Sequence, residues 1–201
     1  VKANATELLF LQHVMKKLKP KPGARCGIVV PEGTLFRGGA FATVKKELLD
    51  DFNLFMVVSL PPGTFAPYSD VKAALLFFER GEQQKEVLYQ EIALPDDLKK
   101  FSKVNSISDE HFAEARQVWQ QMKTYLQGKA PRLEFTENSW TEDSEELRKG
   151  GYDLTARNPN YAKCEKLPHP AEITAQLLEN HYELQKRLER LHKMVNEGWK
   201  L

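Results

Sequence analysis

The segment 54-LFMVVSLPPGTFAPYSDVKAALLFFE-79 contains two apolar stretches separated by a loop rich in proline and glycine. The first stretch, 54–60, is apolar almost throughout, which is typical of a strand buried on both faces of a sheet. The second stretch, 71–79, also has the length of a strand, and the prolines between the two cannot continue either one. The segment therefore predicts two strands of one sheet, joined by a broad loop.

Upstream of this segment, helical and apolar stretches alternate. Apolar residues recur after Thr6 at spacings of three and four, which predicts a helix that ends at 19-KPKPG-23. The run 25-RCGIVVP-31 predicts a further buried strand, and 41-FATVKKELLDD-51 predicts a second helix. Strands joined through a helical crossover run parallel, so we expect this strand to be parallel to 54–60.

The third strand, 71–79, follows a loop that suits a broad hairpin, and we expect it to be antiparallel to its neighbour. The alternating run 85-KEVLYQEI-92 is expected to extend the sheet at an edge. Residues 1–104 are thus predicted to form half of a doubly wound α/β sheet with an antiparallel strand near one edge. A helix that leads into a buried strand also implies a further strand before Val1.

Residues 105–201 are predicted to form a helical region. Ser108 is a suitable N-cap for a long helix, and 129–169 are predicted to be irregular, with an acidic cluster at 142-EDSEE-146. The last helix extends to about Asn196 and has a heptad seam with a polar interruption. The seam consists of Leu177, His181, Leu184, Leu188, Leu191 and Val195.

The composition excludes several classes of protein. Of the 201 residues, 41% are hydrophobic and 28% are charged, which is ordinary for a globular protein. The net charge is only +1, so the chain lacks the overall basic excess that would by itself indicate nucleic-acid binding. We find no membrane-spanning run and no signal peptide, and Cys26 and Cys164 have no partner motif. These features predict a soluble, cytoplasmic protein with reduced cysteines. Because the chain begins at Val1 and enters a helix at once, we expect a piece of a longer protein or a processed chain.

No catalytic, phosphate-binding or metal-binding motif is present. The sequence lacks G-x-G-x-x-G, the P-loop and G-x-S-x-G, and its five histidines do not show metal-ligand spacing. We therefore assign no catalytic, cofactor-binding or metal-ligating residue. The acidic cluster 142–146 is either solvated surface or a cation site. The segment 152-YDLTARNPN-160 is either a structured connector or a binding segment, since its asparagines favour ordered turns.

The loop at 59–70 raises the main functional question, because it carries Phe65 and Tyr68 where the chain turns. One possibility is that both rings are buried as a hydrophobic plug. The other is that they form a stacking surface for an aromatic ligand or a base, because ligands bind at the ends of strands in such sheets. Sequence physics alone leaves both possibilities open.

Three segments closely resemble the modification (M) subunit of type I restriction–modification systems, a family of adenine-specific DNA methyltransferases. They are 7-ELLFLQHVMKKLKPKPGARCGIVVPEGTLFRGG-39, 57-VVSLPPGTFAPYSDVKAALLFFE-79 and 151-GYDLTARNPN-160. The resemblance runs from Asn4 to the final helix. It implies an α/β fold, the second half of a class I AdoMet-dependent methyltransferase sheet, followed by a C-terminal helical region. The last parallel strands would be 25–30 and 54–60, and the antiparallel strand 72–79.

The family transfers a methyl group from S-adenosylmethionine (AdoMet) to the exocyclic amine of an adenine that is flipped out of the duplex. Its N-P-P-F motif and its glycine-bearing AdoMet motif have no counterpart in this sequence. The one Asn-Pro pair, Asn158-Pro159, lies in a polar turn, and we give it no catalytic role. The resemblance therefore implies an enzyme whose complete subunit uses AdoMet, whereas this chain alone is expected to bind no cofactor and to be inactive.

The resemblance also assigns two surfaces. The target-base or DNA pocket would include Pro62, Gly63, Phe65, Tyr68 and Lys72. Lys72 would either contact a phosphate or remain solvated. The interface with the specificity (S) subunit would include Leu177, His181, Leu184, Leu188 and Leu191, unless this seam packs on the helix at 108–127. The implied partners are DNA, the S subunit and the restriction (R) subunit, with no membrane.

Two other functions stay open at this point. The chain is alternatively a non-catalytic interaction module that binds a specificity subunit or DNA. It is also compatible with a helical adaptor whose half-sheet is completed by dimerisation, with the exposed edge at 25–30 pairing between chains.

Overall fold

The computed structural model describes residues 5–126, 135–160 and 169–198. The chain divides into two compact units, Val1–Asn160 and Tyr161–Leu201. A 3-10 turn, Asp109–Phe112, precedes the fourth helix. The helices and strands are α1 (Thr6–Lys17), β1 (Arg25–Pro31), α2 (Gly33–Phe36), α3 (Ala40–Asp51), β2 (Asn53–Ser59), β3 (Ala73–Glu79), β4 (Glu86–Glu91), α4 (Ala113–Leu126), β5 (Ser139–Asp143), α5 (Ser144–Lys149) and α6 (Pro170–Gly198).

The five strands form one sheet in the order β1-β3-β2-β4-β5. Because β3 is antiparallel to both β1 and β2, those two strands run in the same direction, as the sequence predicted. They are not neighbours, however, since β3 lies between them. β4 is parallel to β2, and β5 pairs antiparallel with the far side of β4. The strand expected to extend an edge is therefore an interior strand.

Helices α1 and α3 cover one face of the sheet. Leu8 and Leu11 of α1 and Leu48 of α3 are fully buried in one hydrophobic cluster with Leu76 and Phe78 of β3. These contacts follow from the three-and-four spacing of the helices and the period of two along the strand. The buried face of the sheet is thus built from the apolar runs that predicted the strands.

Helix α4 covers the opposite face over β2 and β4. Val118 and Met122 are buried against Val58 and Leu88 in a second hydrophobic cluster. This packing places α4 in the first compact unit, which therefore extends beyond residue 104, the boundary that the change in sequence character suggested.

Two short elements occur where the sequence predicted irregular structure. β5 and α5 lie within 129–169, and Asp143 connects them as the N-cap of α5. Its Oδ1 accepts hydrogen bonds from the N–H groups of Glu145 at 2.7 Å and Glu146 at 3.3 Å. The acidic cluster is thus the end of a strand and the first turn of a helix, where negative charge is favourable. Within the described ranges, no group of three or more acidic, histidine or cysteine side chains is arranged to hold a metal ion.

The described part of the second unit is α6, a helix of 29 residues. Each side chain described in this helix, from Pro170 to Asn196, is exposed. In the parts of the chain that the structure describes, no helix is both long and apolar enough to cross a membrane.

Candidate functional site

Three loops meet at one end of the sheet, because β1, β2 and β4 run in the same direction. The loops are 32–39 after β1, 60–72 after β2 and 92–108 after β4. We call these three loops the rim. In sheets with parallel strands, ligands bind outside the carboxyl ends of the strands, which makes the rim the candidate ligand-binding region.

Ion pairs connect the middle loop of the rim to both of its neighbours. Nζ of Lys72 lies 2.9 Å from Oε1 of Glu32, whose backbone N–H also donates to the Lys72 carbonyl at 2.8 Å. On the other side, Nζ of Lys100 lies 3.2 Å from Oδ1 of Asp70. Exposed pairs of this kind contribute at most about 1 kcal/mol each, so they orient the loops more than they stabilise the fold. Lys72 is therefore ion-paired within the rim rather than merely solvated.

A close backbone contact also fixes the middle loop to the third. Gly63 has φ +78°, and a Cβ atom on it would lie 2.0 Å from the carbonyl oxygen of Phe101. The Phe101 N–H donates to the Pro62 carbonyl at 2.9 Å, and the Phe101 ring is buried, edge-to-face with His111 at 5.0 Å. Only glycine permits this approach of two backbones. Pro62 and Gly63, predicted for the target-base pocket, thus form the joint between two loops.

The middle loop holds its two aromatic rings outside the core. Phe65 is 39% exposed and Tyr68 is 93% exposed. The loop is ordered by its own bonds: Thr64 Oγ1 donates to the Pro61 carbonyl at 2.7 Å, and the Tyr68 N–H donates to the Phe65 carbonyl at 2.9 Å. A ring as exposed as that of Tyr68 is not a plug. The arrangement presents two aromatic rings on a constrained loop, which is suited to stacking on a flat ligand.

Buried hydrogen bonds fix the first loop of the rim to α3 and to the segment 152–160. The Leu35 carbonyl accepts hydrogen bonds from Nζ of Lys45 and from the Leu154 N–H, and the Leu154 carbonyl accepts one from the Tyr89 hydroxyl at 3.1 Å. The Lys45 side chain is 1% exposed. Burial lowers the pKa of Lys45, an effect that the nearby Asp153 carboxylate opposes. The 32–39 loop, α3 and the segment 152–160 are thus bound together at the Leu35 carbonyl, and β4 is bound to the same group through the Leu154 carbonyl.

The segment 152–160 is a structured connector, one of the two alternatives that its sequence left open. Leu154 is fully buried in the core, and Asn158 is buried with its Nδ2 donating to the Glu137 carbonyl at 2.8 Å. The Asn160 N–H donates to Oδ1 of Asn158 at 2.8 Å, which closes an Asx turn. The asparagines around Pro159 thus hold the chain against the sheet unit.

A cavity of about 380 Å³ lies between α4 and the sheet face formed by β1, β3 and β2. Its wall includes Phe77 and the stacked pair Phe55 and Trp119, whose ring centroids are 4.6 Å apart. The Phe77 ring lies over Gly27, where a Cβ atom would come within 2.8 Å of Cε1 of the ring. Sequence reasoning missed this cavity, because its only signal, a glycine opposite an aromatic residue, depends on the β1–β3 register.

The cavity suits apolar surface rather than a charged ligand. Its two arginines are already paired: Arg25 with Glu79 and Arg116 with Asp109, each at 2.6 Å. Burial raises the pKa of the Cys26 thiol in its wall, which disfavours the reactive thiolate. The rim, and not this cavity, is therefore the candidate functional site.

Edge strand β1 is open on one side, since it pairs only with β3 among the described strands. Val29 on this strand is exposed, and so are Phe36 of α2 and Phe10 of α1. An open edge with apolar side chains in the elements around it is a surface that proteins normally cover.

The seam of α6 is a separate exposed surface. Its leucines, Leu177, Leu184, Leu188 and Leu191, are each more than half exposed, and His181 is exposed among them. Positions spaced by seven and by four align on one side of a helix, so these side chains form a continuous apolar stripe. Leu178 and Tyr182, which were not predicted to belong to the seam, are also exposed and widen the stripe near its start.

Comparison with known proteins identifies the family. The model of the N-6 DNA methylase family matches residues 1–167. The chain is 32% identical over 169 residues to the type I restriction enzyme EcoEI methylase subunit of Escherichia coli, covering 84% of this chain and 33% of that protein. It is 30% identical over 147 residues to the EcoKI methylase subunit of E. coli K12, covering 70% of this chain and 26% of that protein. The chain thus spans about a third or less of the length of these curated relatives.

Solved structures agree with this assignment. One chain, from a study of complex assembly and conformational transition in a type I R-M system, is 59% identical with a TM-score of 0.78, covering 100% of this chain and 41% of that one. A modification subunit of a putative type I restriction enzyme from Vibrio vulnificus YJ016 is 36% identical with a TM-score of 0.67, covering 82% of this chain and 34% of that one. The resemblance to type I modification subunits is therefore confirmed, and the chain belongs to the N-6 DNA methylase family.

Proposed function

We propose that the chain is part of an adenine-specific type I DNA methyltransferase and that its rim receives the target base. The observation that carries this proposal is the exposure of Phe65 and Tyr68 on a loop that is constrained at its start by the Gly63–Phe101 contact and at its end by two ion pairs. Enzymes that act on a base extrude it from the duplex and read it partly by stacking. In this proposal the flipped adenine stacks on Phe65 or Tyr68, while Pro62 and Gly63 fix the loop and Lys72 holds it to β1.

The described residues do not fit AdoMet, the methyl donor of the complete enzyme. AdoMet has a carboxylate, an ammonium group and sugar hydroxyls, whereas the cavity beside α4 is walled mainly by aromatic and aliphatic side chains, and its two arginines are paired with Glu79 and Asp109. Glu32, the carboxylate at the end of β1, is already paired with Lys72. We therefore assign the cofactor to other parts of the subunit, and we propose that this chain alone does not transfer methyl groups.

What this chain contributes to the reaction is placement of the base. A base that stacks on a constrained ring loses rotational freedom before the reaction, so part of the entropic barrier is overcome on binding. The contact between Gly63 and Phe101 and the two ion pairs of the middle loop limit how far the rings can move. Phe65 and Tyr68 thus have a positioning role, and the groups that act on the amine lie elsewhere in the subunit.

In the full-length subunit assembled with its S subunit, Tyr68→Ala is expected to lower kcat/KM for adenine methylation by about 5- to 150-fold. The range corresponds to the loss of one base–aromatic stacking contact, about 1–3 kcal/mol. Tyr68→Phe keeps the ring and should remain close to the wild type. With 2-aminopurine at the target position, Tyr68→Ala should also increase the fluorescence of the flipped base. Wild-type values for Tyr68→Ala in both assays would contradict a stacking role for Tyr68, and the same result for Phe65→Ala would contradict the proposal.

We propose that residues 1–104, together with α4 and β5, which pack on and pair with their sheet, form the C-terminal half of the methyltransferase domain. The open edge of β1 then pairs with a strand from the rest of the same subunit, which would also cover Val29 and the neighbouring apolar side chains. This arrangement is supported by the coverage of only about a third of the length of the relatives. A second copy of the chain would occupy that edge only if this strand did not.

We propose that, within the C-terminal region 105–201, α6 serves subunit association and that its stripe docks on the S subunit, with the R subunit joining the assembled complex. The exposed leucines support this assignment, as does the likeness to a chain from a type I R-M assembly over 100% of this chain. The partner surface should be apolar and helical, because the stripe follows a heptad pattern.

Leu184→Asp is expected to weaken assembly of the full-length subunit with the S subunit by at least about tenfold, because it would bury an unpaired carboxylate in the interface. Glu179→Ala, on the opposite side of α6, should assemble normally. Analytical ultracentrifugation of the two subunits at several concentrations measures the difference. Equal assembly by the two variants would exclude the stripe as the docking surface.

A further inference from the structure

We propose that the turn Ser102–Asn105, in the third loop of the rim, is a second DNA contact. Lys103 pairs with a backbone phosphate, and the Val104 side chain packs against the adjacent deoxyribose. The proposal rests on the proposed function, since it requires that DNA approach the rim. It adds a contact to the backbone outside the pocket for the target base.

The turn has a defined shape of its own. The Ser102 N–H donates to the Asn105 carbonyl at 2.8 Å, and the Asn105 N–H donates to Oγ of Ser102 at 3.1 Å. These reciprocal bonds close the turn and point its two central residues outward. Val104 is 90% exposed at the tip, and Lys103 beside it is also exposed. Because the turn is closed, little conformational freedom remains to be lost when it binds.

The turn is fixed to the middle loop of the rim through the residues just before it. Phe101, the residue before the turn, is buried and makes the close backbone contact with Gly63. Lys100, in the third loop of the rim, also forms an ion pair with Asp70 of the middle loop. A single exposed valine on a protein surface is unremarkable. Here its turn is fixed to the loop that presents Tyr68, so a duplex that delivers a base to Tyr68 passes close to the turn.

The charges of the third loop of the rim favour the DNA backbone as the partner of the turn. The segment carries three exposed lysines, Lys99, Lys100 and Lys103, and two exposed acids, Asp96 and Asp97. Lys100 is paired with Asp70, whereas Lys103 takes part in no ion pair within the described ranges. An unpaired, exposed lysine is the kind of side chain that contacts phosphate oxygens, and contacts to phosphate and sugar fix the position of a protein on DNA.

The experiment measures binding of a duplex containing the target site to the full-length subunit assembled with its S subunit, by fluorescence anisotropy at several salt concentrations. Lys103→Gln is expected to reduce the slope of log K against log[salt] by about one and to weaken binding several-fold at low salt. Val104→Ser is expected to weaken binding with an unchanged slope, because no ionic contact is lost. The matched control is Lys85→Gln, an exposed lysine just before β4, at the opposite end of that strand.

The proposal is overturned if Lys103→Gln shows the same slope and affinity as Lys85→Gln. It is also overturned if Lys103→Gln leaves DNA binding unchanged but weakens assembly with the S subunit, because the turn would then be a protein contact. Failure of this inference is separable from failure of the proposed function. A wild-type complex that methylates adenine while both turn variants bind DNA normally refutes the turn alone, whereas a wild-type complex without adenine methylation refutes the function.

Discussion

Gly63→Ala is expected to destabilise the protein by about 4 kcal/mol, a large effect for the addition of one methyl group. An L-residue at φ +78° contributes about 1–3 kcal/mol of backbone strain. The new Cβ would also lie 2.0 Å from the Phe101 carbonyl oxygen, and relief of this overlap requires the two loops to separate, for about another 1–3 kcal/mol. The same separation should move Tyr68 and thus lower methylation in the assembled enzyme.

The matched control is Gly23→Ala, because Gly23 also has φ +78° but has no atom within 4 Å of its Cβ position. That variant should lose only the backbone part, about 1–3 kcal/mol. Urea unfolding followed by circular dichroism measures the free energy of unfolding of both variants. Equal losses in the two variants would show that the joint between Gly63 and Phe101 is not tight.

Leu154→Ala is expected to reduce the free energy of unfolding by about 3 kcal/mol. Leu154 is fully buried in the cluster that includes Trp140 and Leu147, and truncation of a buried leucine typically leaves a cavity that costs about 2–5 kcal/mol. Its backbone bonds to Leu35 and Tyr89 leave the segment little freedom to move inward and fill the space.

Arg157→Ala, an exposed position in the same segment, is the control and should stay within about 0.5 kcal/mol of the wild type. The same unfolding measurement applies to both variants. The opposite outcome, with Leu154→Ala stable and Arg157→Ala impaired in DNA binding, would make 152–160 a binding segment and not a connector.

The elements predicted correctly from sequence are those with a strong local signal. α1 and α3 have clear helical spacing, and β2 is an apolar run that is buried almost throughout, as predicted. β1 was predicted as a buried strand, but it is an edge strand whose residues alternate between exposed and partly buried from Arg25 to Val29. The position of β3 between β1 and β2 was not predicted, because strand order depends on which edges meet in three dimensions. β5 was missed because 139-SWTED-143 is mostly polar, and it becomes a strand only by pairing with β4.

The site was predicted only in part, for a similar reason. The sequence singled out Phe65 and Tyr68, but large aromatic residues are found in cores as well as in binding sites. Their exposure follows from the joint between Gly63 and Phe101, two residues that are far apart in the sequence. Lys103 and Val104 were not predicted as contact residues, because a lysine and a valine in a loop form no recognisable motif. Their significance depends on the position of the third loop beside the middle loop.

The insertion of β3 between β1 and β2 also has a consequence for the nascent chain. During translation β1 emerges before β2 and β3, and its partner β3 is complete only when Glu79 has left the ribosome. Over that interval β1 and β2 cannot pair with each other in the final order, and the edge of each strand that β3 will occupy stays unpaired, a state from which strands aggregate readily. α1 and α3 form from local contacts and are synthesised before β3, so they can shield one face of these strands while the ribosome completes the sheet.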